Sequence, residues 1–264
     1  IAEFKKILGA DNVLTTAEQL APYRKTMMPV ADDAHAPSAA LVATEVAQIQ
    51  KIVAVCNKFK VPVWTISTGK NLGYGSAAPG ERGQVVLDLK RMNRIIEVNA
   101  ELGYALVEPG VTYQQLYDYI QEKKLPLWMS CPAPSSIAGP LGNTVDRGVG
   151  YTPYGEHFLF SCGMEVVLAT GEVLRTGMGG VENSNTWQVF KWGYGPYLDG
   201  LFTQSNYGIV TQVGIWLMPR PPHIESFFFT FPDDEDLGPI IDLIRPLKLS
   251  NFVPTLIRAT NDQY

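Results

Sequence analysis

The stretch T-I-S-T-G-K-N-L-G-Y-G-S-A-A-P, Thr65 to Pro79, gathers Gly69, Gly73 and Gly75 with a single lysine, Lys70, and a tyrosine, Tyr74. A phosphate-binding P-loop needs its lysine after the last glycine and before Ser or Thr. Here Lys70 follows the first glycine. A dinucleotide fingerprint needs G-x-G-x-x-G entering a helix. Here the spacing is G-x-x-x-G-x-G, and the strand-like Q-V-V-L-D-L follows. Two readings remain: a nest of backbone N–H groups facing an anion, or a sharp turn with glycines at positive φ.

A second glycine-rich run, Ser135 to His157, shows almost no hydrophobic periodicity and reads as irregular chain. Irregular segments of that length inside a compact domain usually carry function. A third piece, Q-S-N-Y-G-I-V-T, puts Gly208 at a strand start, where bare backbone can meet a planar ring. Three such pieces imply a large cofactor lying between two subdomains. Other residues leave alternatives open. His157 is either a structural histidine or a cofactor neighbour. Asp146 and Arg147 either pair with each other, or Arg147 touches a phosphate. Trp187, Trp192, Tyr194 and Tyr197 are core or a subunit contact. Asp32, Asp33 and His35 lack a regular metal-ligand spacing. Cys56, Cys131 and Cys162 show no C-x-x-C spacing and read as buried free thiols.

The elements that position these residues come from periodicity. Ile1, Phe4, Ile7 and Leu8 mark a short helix within residues 1–25. A-A-L-V-A is a strand, and Thr44 is expected to cap the helix that follows, with Val46, Ile49, Ile52, Val53 and Cys56 inward. V-P-V-W-T-I leads into the glycine loop. Residues 38–90 thus read as β-α-β-loop-β. From residue 95 strands predominate: I-I-E-V, Y-A-L-V-E-P, G-M-E-V-V-L-A, E-V-L-R-T and G-I-V-T-Q-V-G-I-W. One helix intrudes, capped by Thr112, with Leu116, Tyr119 and Ile120 inward. After P-R-P-P at Pro219–Pro222, F-F-F-T-F-P is expected to begin a strand and D-D-E-D-L-G-P-I-I-D-L a helix. Residues 223–264 are too few to bury a core alone, so the sequence reads as the N-terminal portion of something longer.

A net charge of −5 without basic runs argues against a nucleic-acid partner. No apolar run reaches the roughly 18 residues of a membrane span.

Together S-T-G-K-N-L-G-Y-G, V-E-P-G-V-T-Y-Q-Q-L-Y-D-Y-I, G-N-T-V-D-R-G-V-G-Y-T-P-Y-G-E-H and G-L-F-T-Q-S-N-Y-G-I-V-T resemble the vanillyl-alcohol oxidase / p-cresol methylhydroxylase flavoprotein family over essentially the whole chain. The resemblance implies an α+β fold: an N-terminal arm over 1–36, then a PCMH-type FAD-binding domain over 37–222. Its subdomains would cover about 37–95 and 96–222. An incomplete cap, or substrate, domain would begin over 223–264. It implies FAD contacts at Ser67, Thr68, Gly69, Lys70, Asn71, Leu72, Gly73, Tyr74 and Ser76. Further contacts would come from Pro109, Gly110, Val111, Leu116, Ser136, Gly139, Gly142, Asn143, Gly148, Val149, Tyr154, Gly208, Ile209 and Val210. Tyr74 would be the catalytic residue here, donating to the phenolic oxygen of the substrate.

The reaction so implied is oxidation of a 4-alkylphenol, with hydride transfer to FAD and water addition to the quinone methide. Electrons would pass to a c-type cytochrome. The flavoprotein would be a homodimer, bacterial, and periplasmic or cytoplasmic. The alternatives are an O2-using phenol oxidase and an inactive FAD-binding fragment. The alcohol-oxidase branch carries an aspartate in the stretch corresponding to Cys131–Ser136. C-P-A-P-S-S has no acid there, which favours the methylhydroxylase branch.

Overall fold

Two kinds of apolar run sort the strands into two sheets. The computed structural model describes residues 1–31, 33–71, 75–132, 135–225 and 228–260. In the first half, A-A-L-V and V-V-L-D carry apolar residues with no polar alternation, the pattern of strands covered on both faces. With β1 (Val13–Leu14) and β3 (Val63–Ile66), they form β2 (Ala39–Val42) and β4 (Val85–Asp88) of a four-stranded sheet ordered β1-β2-β4-β3. All residues of β2 and β4 are buried. β2, β4 and β3 run parallel, and β1 is antiparallel. The glycine loop therefore leaves the C-terminal edge of a parallel sheet, where open α/β sheets place their ligands.

Three helices cover this sheet: α1 (Ala2–Leu8), α2 (Ala17–Leu20) and α3 (Val46–Phe59). α3 buries Ile49, Ile52 and Cys56, while Val46 and Val53 are only partly covered. Its N-cap is Glu45, not Thr44. Gln48 explains the shift: its Oε1 reaches back to accept from Thr44 N and Thr44 Oγ1 at 2.8 and 3.2 Å, so the helix satisfies its own entry. α3 also touches the second sheet. Gln50 Nε2 donates to Gly171 O and Asn57 Nδ2 to Ala169 O, both at 2.7 Å. Val167 and Ile209 join the core beneath the helix.

The second sheet is antiparallel and ordered β5-β6-β10-β8-β9. Its strands are β5 (Ile95–Asn99), β6 (Tyr104–Val107), β8 (Ser161–Leu168), β9 (Val173–Arg175) and β10 (Gly208–Trp216). A short ladder joins β7 (Leu127–Trp128) to β11 (Met218–Pro219). α4 (Tyr113–Glu122) is capped as expected, Thr112 Oγ1 accepting from Gln115 N at 3.0 Å. Its Tyr113, Leu116 and Ile120 are buried, with Tyr119 at the margin.

Three expectations need correction. The 135–157 run is not wholly irregular, since Pro140–Val145 form a short helix, α5. Pro at its start is pre-set for a helical φ, which the glycines around it hide from a periodicity reading. Cys131 is exposed, unlike the buried Cys56 and Cys162; all three thiols are free. Residues 228–231 form no strand, and Phe228 is 94% exposed. The helix expected after them does form, α6 (Leu237–Leu249), but none of its residues is buried. An isolated strand has no ladder partner to stabilise it, whereas a helix satisfies its own backbone.

Candidate cofactor site

The loop after β3 has a backbone suited to an anion. Gly69 has φ 68°, and a side chain there would crowd Ala77. Gly75 (φ 110°) and Ser76 (φ 56°) are also left-handed. Ser76 N donates to Asn71 O at 2.7 Å, closing the base of the loop. Among the described residues, the backbone N–H groups of Thr68, Gly69, Lys70 and Asn71 meet no acceptor. Such a run of unpaired donors can meet the acceptor oxygens of an anion. Lys70 itself is exposed. The loop's tip, Leu72, Gly73 and Tyr74, lies outside the described residues.

The other predicted pieces meet this loop. α5 lies against it: a β-carbon at Gly142 would overlap Ser67 Oγ, and one at Gly139 would lie 3.0 Å from Thr68 Cγ2. Gly139 also faces the carbonyls of Val111 and Pro109, at 3.1 and 3.2 Å from such a carbon. Gly110 packs on the Lys90 carbonyl and donates to Met92 O at 2.7 Å. Asn71 Nδ2 donates to Asp146 Oδ2 at 2.7 Å. Four sequence regions, 67–71, 109–111, 139–146 and 203–210, thus converge; Gln204 N closes the set by donating to Val145 O at 2.8 Å. Gly208, Ile209 and Val210 pair with Leu168, Val167 and Val166 on one side. On the other side β6 reaches only to Val107, opposite Val213, so this stretch keeps one unladdered edge.

Two polar clusters support the converging loops. On the small sheet, the Tyr23 hydroxyl donates to Asp88 Oδ2 at 2.5 Å, and Lys90 Nζ lies 2.8 Å from the same oxygen and 3.1 Å from the Tyr23 hydroxyl. Asp88 is fully buried at the end of β4. Tyr23 packs with Leu20, Ile66 and Ala77 under the loop. Burial and Asp88 push the Tyr23 hydroxyl up to about 12. Beside the second sheet, His157 Nδ1 meets Asn143 Oδ1 while its Nε2 meets Ser130 Oγ at 2.9 Å. Desolvation lowers His157 to about 4, so the ring is neutral at ordinary pH. Neither cluster is conspicuous in the sequence. The lone histidine closing the second glycine run was the one signal for the latter.

Packing fixes the other predicted residues. Leu116 is 1% exposed within the core. Val111 is likewise fully buried, and only its backbone carbonyl faces the cradle. Asp146 and Arg147 do not pair with each other. Asp146 holds Asn71, while Arg147 Nε donates to Thr203 Oγ1 at 2.9 Å with its guanidinium over Phe158. Tyr154 stacks on Phe160 at 4.0 Å and lines a small cavity with His157, Ser130 and Thr144. Val149 bridges Glu156. Gly148 packs on the Asn143 amide, and the Ser136 carbonyl accepts from Gln114 N at 2.8 Å. Trp187 packs against Gly163 and Gly179, whereas Trp192 and Tyr194 are exposed.

The converging loops fit the FAD that the sequence resemblance implies. Open N–H donors suit a pyrophosphate, and glycines at 139 and 142 let α5 pack directly on Ser67 and Thr68 of the loop that carries those donors. Comparison with known proteins bears on the same region. A family model described as FAD binding domain matches residues 37–177. The flavoprotein subunit of 4-cresol dehydrogenase [hydroxylating] from Pseudomonas putida is 63% identical over 257 residues, 97% of this chain and 49% of that protein. The crystal structure of p-cresol methylhydroxylase with substrate bound superposes with a TM-score of 0.91 at 62% identity, over 96% of this chain and 49% of that one. The 4-ethylphenol oxidase from Gulosibacter chungangensis, in complex with isoeugenol, gives a TM-score of 0.89 at 39% identity, over 95% and 48%. The chain spans about half the length of these relatives.

Proposed function

The chain belongs to the FAD binding domain family, and on that premise we propose that it is the FAD-holding part of a flavoenzyme that oxidises 4-alkylphenols. The convergence of 67–71, 109–111, 139–146 and 203–210 around open backbone donors carries the reading. The likeness to 4-cresol dehydrogenase supplies the substrate class. The proposed FAD-binding unit covers residues 37–222, with 223–264 opening a cap that would cover the substrate.

The N–H groups of Thr68, Gly69, Lys70 and Asn71 would hold the pyrophosphate oxygens. Glycine at 110, 139 and 142 lets the supporting segments pack closely beneath the loop that carries them, and the open edge at Gly208–Val210 can face the flavin ring. When bound, FAD supplies the acceptor for the hydride that leaves the benzylic carbon. Tyr74 is assigned to the phenolic oxygen. A hydrogen bond there stabilises the phenolate and eases loss of hydride from the para substituent. The substrate, having lost a proton and a hydride, is a p-quinone methide that takes up water at the benzylic carbon. A c-type cytochrome as electron acceptor, a homodimer of flavoprotein subunits and a periplasmic location complete the proposal.

A second reading, an oxidase passing electrons to O2, is favoured by the 39% identity to 4-ethylphenol oxidase. Anaerobic reduction of the complete FAD-loaded protein with p-cresol, followed by mixing with O2 or with cytochrome c, separates the two. We expect bleaching by p-cresol, slow reoxidation by O2 and fast reoxidation by the cytochrome. Rapid peroxide formation would establish the oxidase instead. Absence of bleaching would remove alkylphenols as substrates. In Tyr74→Phe, unchanged reduction would overturn the role given to that residue.

A further inference from the structure

Resting on the reading that the cleft holds FAD, we propose that His157 is a positioning residue that sets the hydrogen-bonding polarity of the cradle. It engages Asn143 Oδ1 and so fixes the amide with its NH2 as the free end, matched to an acceptor oxygen of the cofactor. A free carboxamide can turn either its oxygen or its NH2 to a ligand, because the two ends are nearly isosteric. Here the choice is made by the protein. Asn143 Oδ1 is an acceptor, so the proton of the neutral ring sits on Nδ1. Nε2 is then an acceptor, and the Ser130 hydroxyl donates to it at 2.9 Å.

The ring cannot readily turn over. His157 is 6% exposed, and flipping it would forfeit both bonds. Two glycines close the space around the relay. A β-carbon at Gly150 would overlap Ser130 Oγ, and one at Gly148 would overlap the Asn143 amide. Asn143 Nδ2 itself meets no acceptor among the described residues, and it is not one of the polar atoms sealed from solvent. It sits on α5, one residue from Gly142, whose bare Cα faces Ser67 of the first glycine loop. A donor without a protein partner beside the converging loops is free to meet a ligand acceptor. On FAD the candidates are a pyrophosphate oxygen or a carbonyl oxygen of the flavin.

The test uses the complete protein stripped of cofactor and titrated with FAD and with ADP, followed by flavin fluorescence, absorption and thermal melting. Asn143→Asp keeps size and shape but turns an oxygen where the NH2 was. We expect about ten-fold weaker FAD binding, the size of one lost hydrogen bond of ~1.4 kcal/mol. If the partner is the pyrophosphate, ADP weakens in parallel and the flavin spectrum is unchanged. If it is a flavin carbonyl, the absorption bands shift and ADP binding holds. His157→Leu, which frees the amide to rotate, is expected to weaken FAD about ten-fold, and His157→Gln, which can still donate to Oδ1, to restore it to within about three-fold. FAD binding within two-fold of the parent in a folded Asn143→Asp overturns the proposal. So does equal loss in His157→Gln and His157→Leu that follows their melting temperatures. A parent that takes up no FAD overturns the reading of the cleft, and this proposal with it.

Discussion

The two polar clusters that prop the cofactor loops are built on opposite principles. Tyr23–Asp88–Lys90 is charged: a fully buried carboxylate is balanced by an ammonium whose side chain is 51% exposed. Ser130–His157–Asn143 is neutral throughout, and its ring is held well below its ordinary proton affinity by burial. The charged cluster secures the N-terminal arm to the end of β4, under the first glycine loop. The neutral cluster secures α5, under the second. One cleft is therefore supported from one side by charge balance and from the other by exclusion of charge.

The difference can be broken most strongly at Lys90. Lys90→Met leaves Asp88 buried without its counter-ion. Full burial of such an orphan costs roughly 3–5 kcal/mol, and the partial exposure of Lys90 puts our expectation near ~3 kcal/mol. Urea unfolding against the parent measures it; a loss under ~0.5 kcal/mol would mean that the Tyr23 hydroxyl alone carries the carboxylate.

Acid and alkali should attack different clusters. The His157 pKa is about 4 folded, against 6.5 for the free group. Between these values the unfolded chain binds more protons, so stability falls as pH falls from about 6.5 to 4, by up to ~3 kcal/mol. His157→Gln should flatten that limb of the stability–pH curve. Tyr23 stands at about 12 folded, against 10. There the unfolded chain loses its proton first, so stability falls as pH rises from 10 to 12, by up to ~2.7 kcal/mol. Tyr23→Phe should remove that increment and leave the acid limb untouched. Identical pH curves for parent and variants would dissolve the contrast.

Smaller effects sharpen it. Gly142→Ala forces a methyl onto Ser67 Oγ, and we expect ~1–2 kcal/mol of destabilisation with weaker FAD uptake, since the clash lies in the cradle itself. At neutral pH Tyr23→Phe should cost about 1 kcal/mol, the net value of one hydrogen bond, measured by the same urea titration.

Much of this architecture was legible in the sequence, because hydrophobic period and glycine placement are local signals. The continuous runs of β2 and β4 and the Thr112 cap follow from residues a few positions apart. The failures share a different cause. Thr44 lost the cap to Glu45 because Gln48 reached back, a side-chain choice no propensity records. Asp146 and Arg147 are adjacent in sequence but choose partners 75 and 56 residues away. The charged cluster was invisible for the same reason: Tyr23 and Asp88 are 65 residues apart.

The two amide bonds of α3 have a consequence for assembly. Gln50 and Asn57 close contacts across 121 and 112 residues of chain. Loop closure over such distances must precede the reward of contact, and topologies of that kind fold slowly. The first sheet's covering helix thus waits for the β8–β9 turn before its outer side is satisfied. α3 can therefore join the two sheets only after both halves of the chain are present.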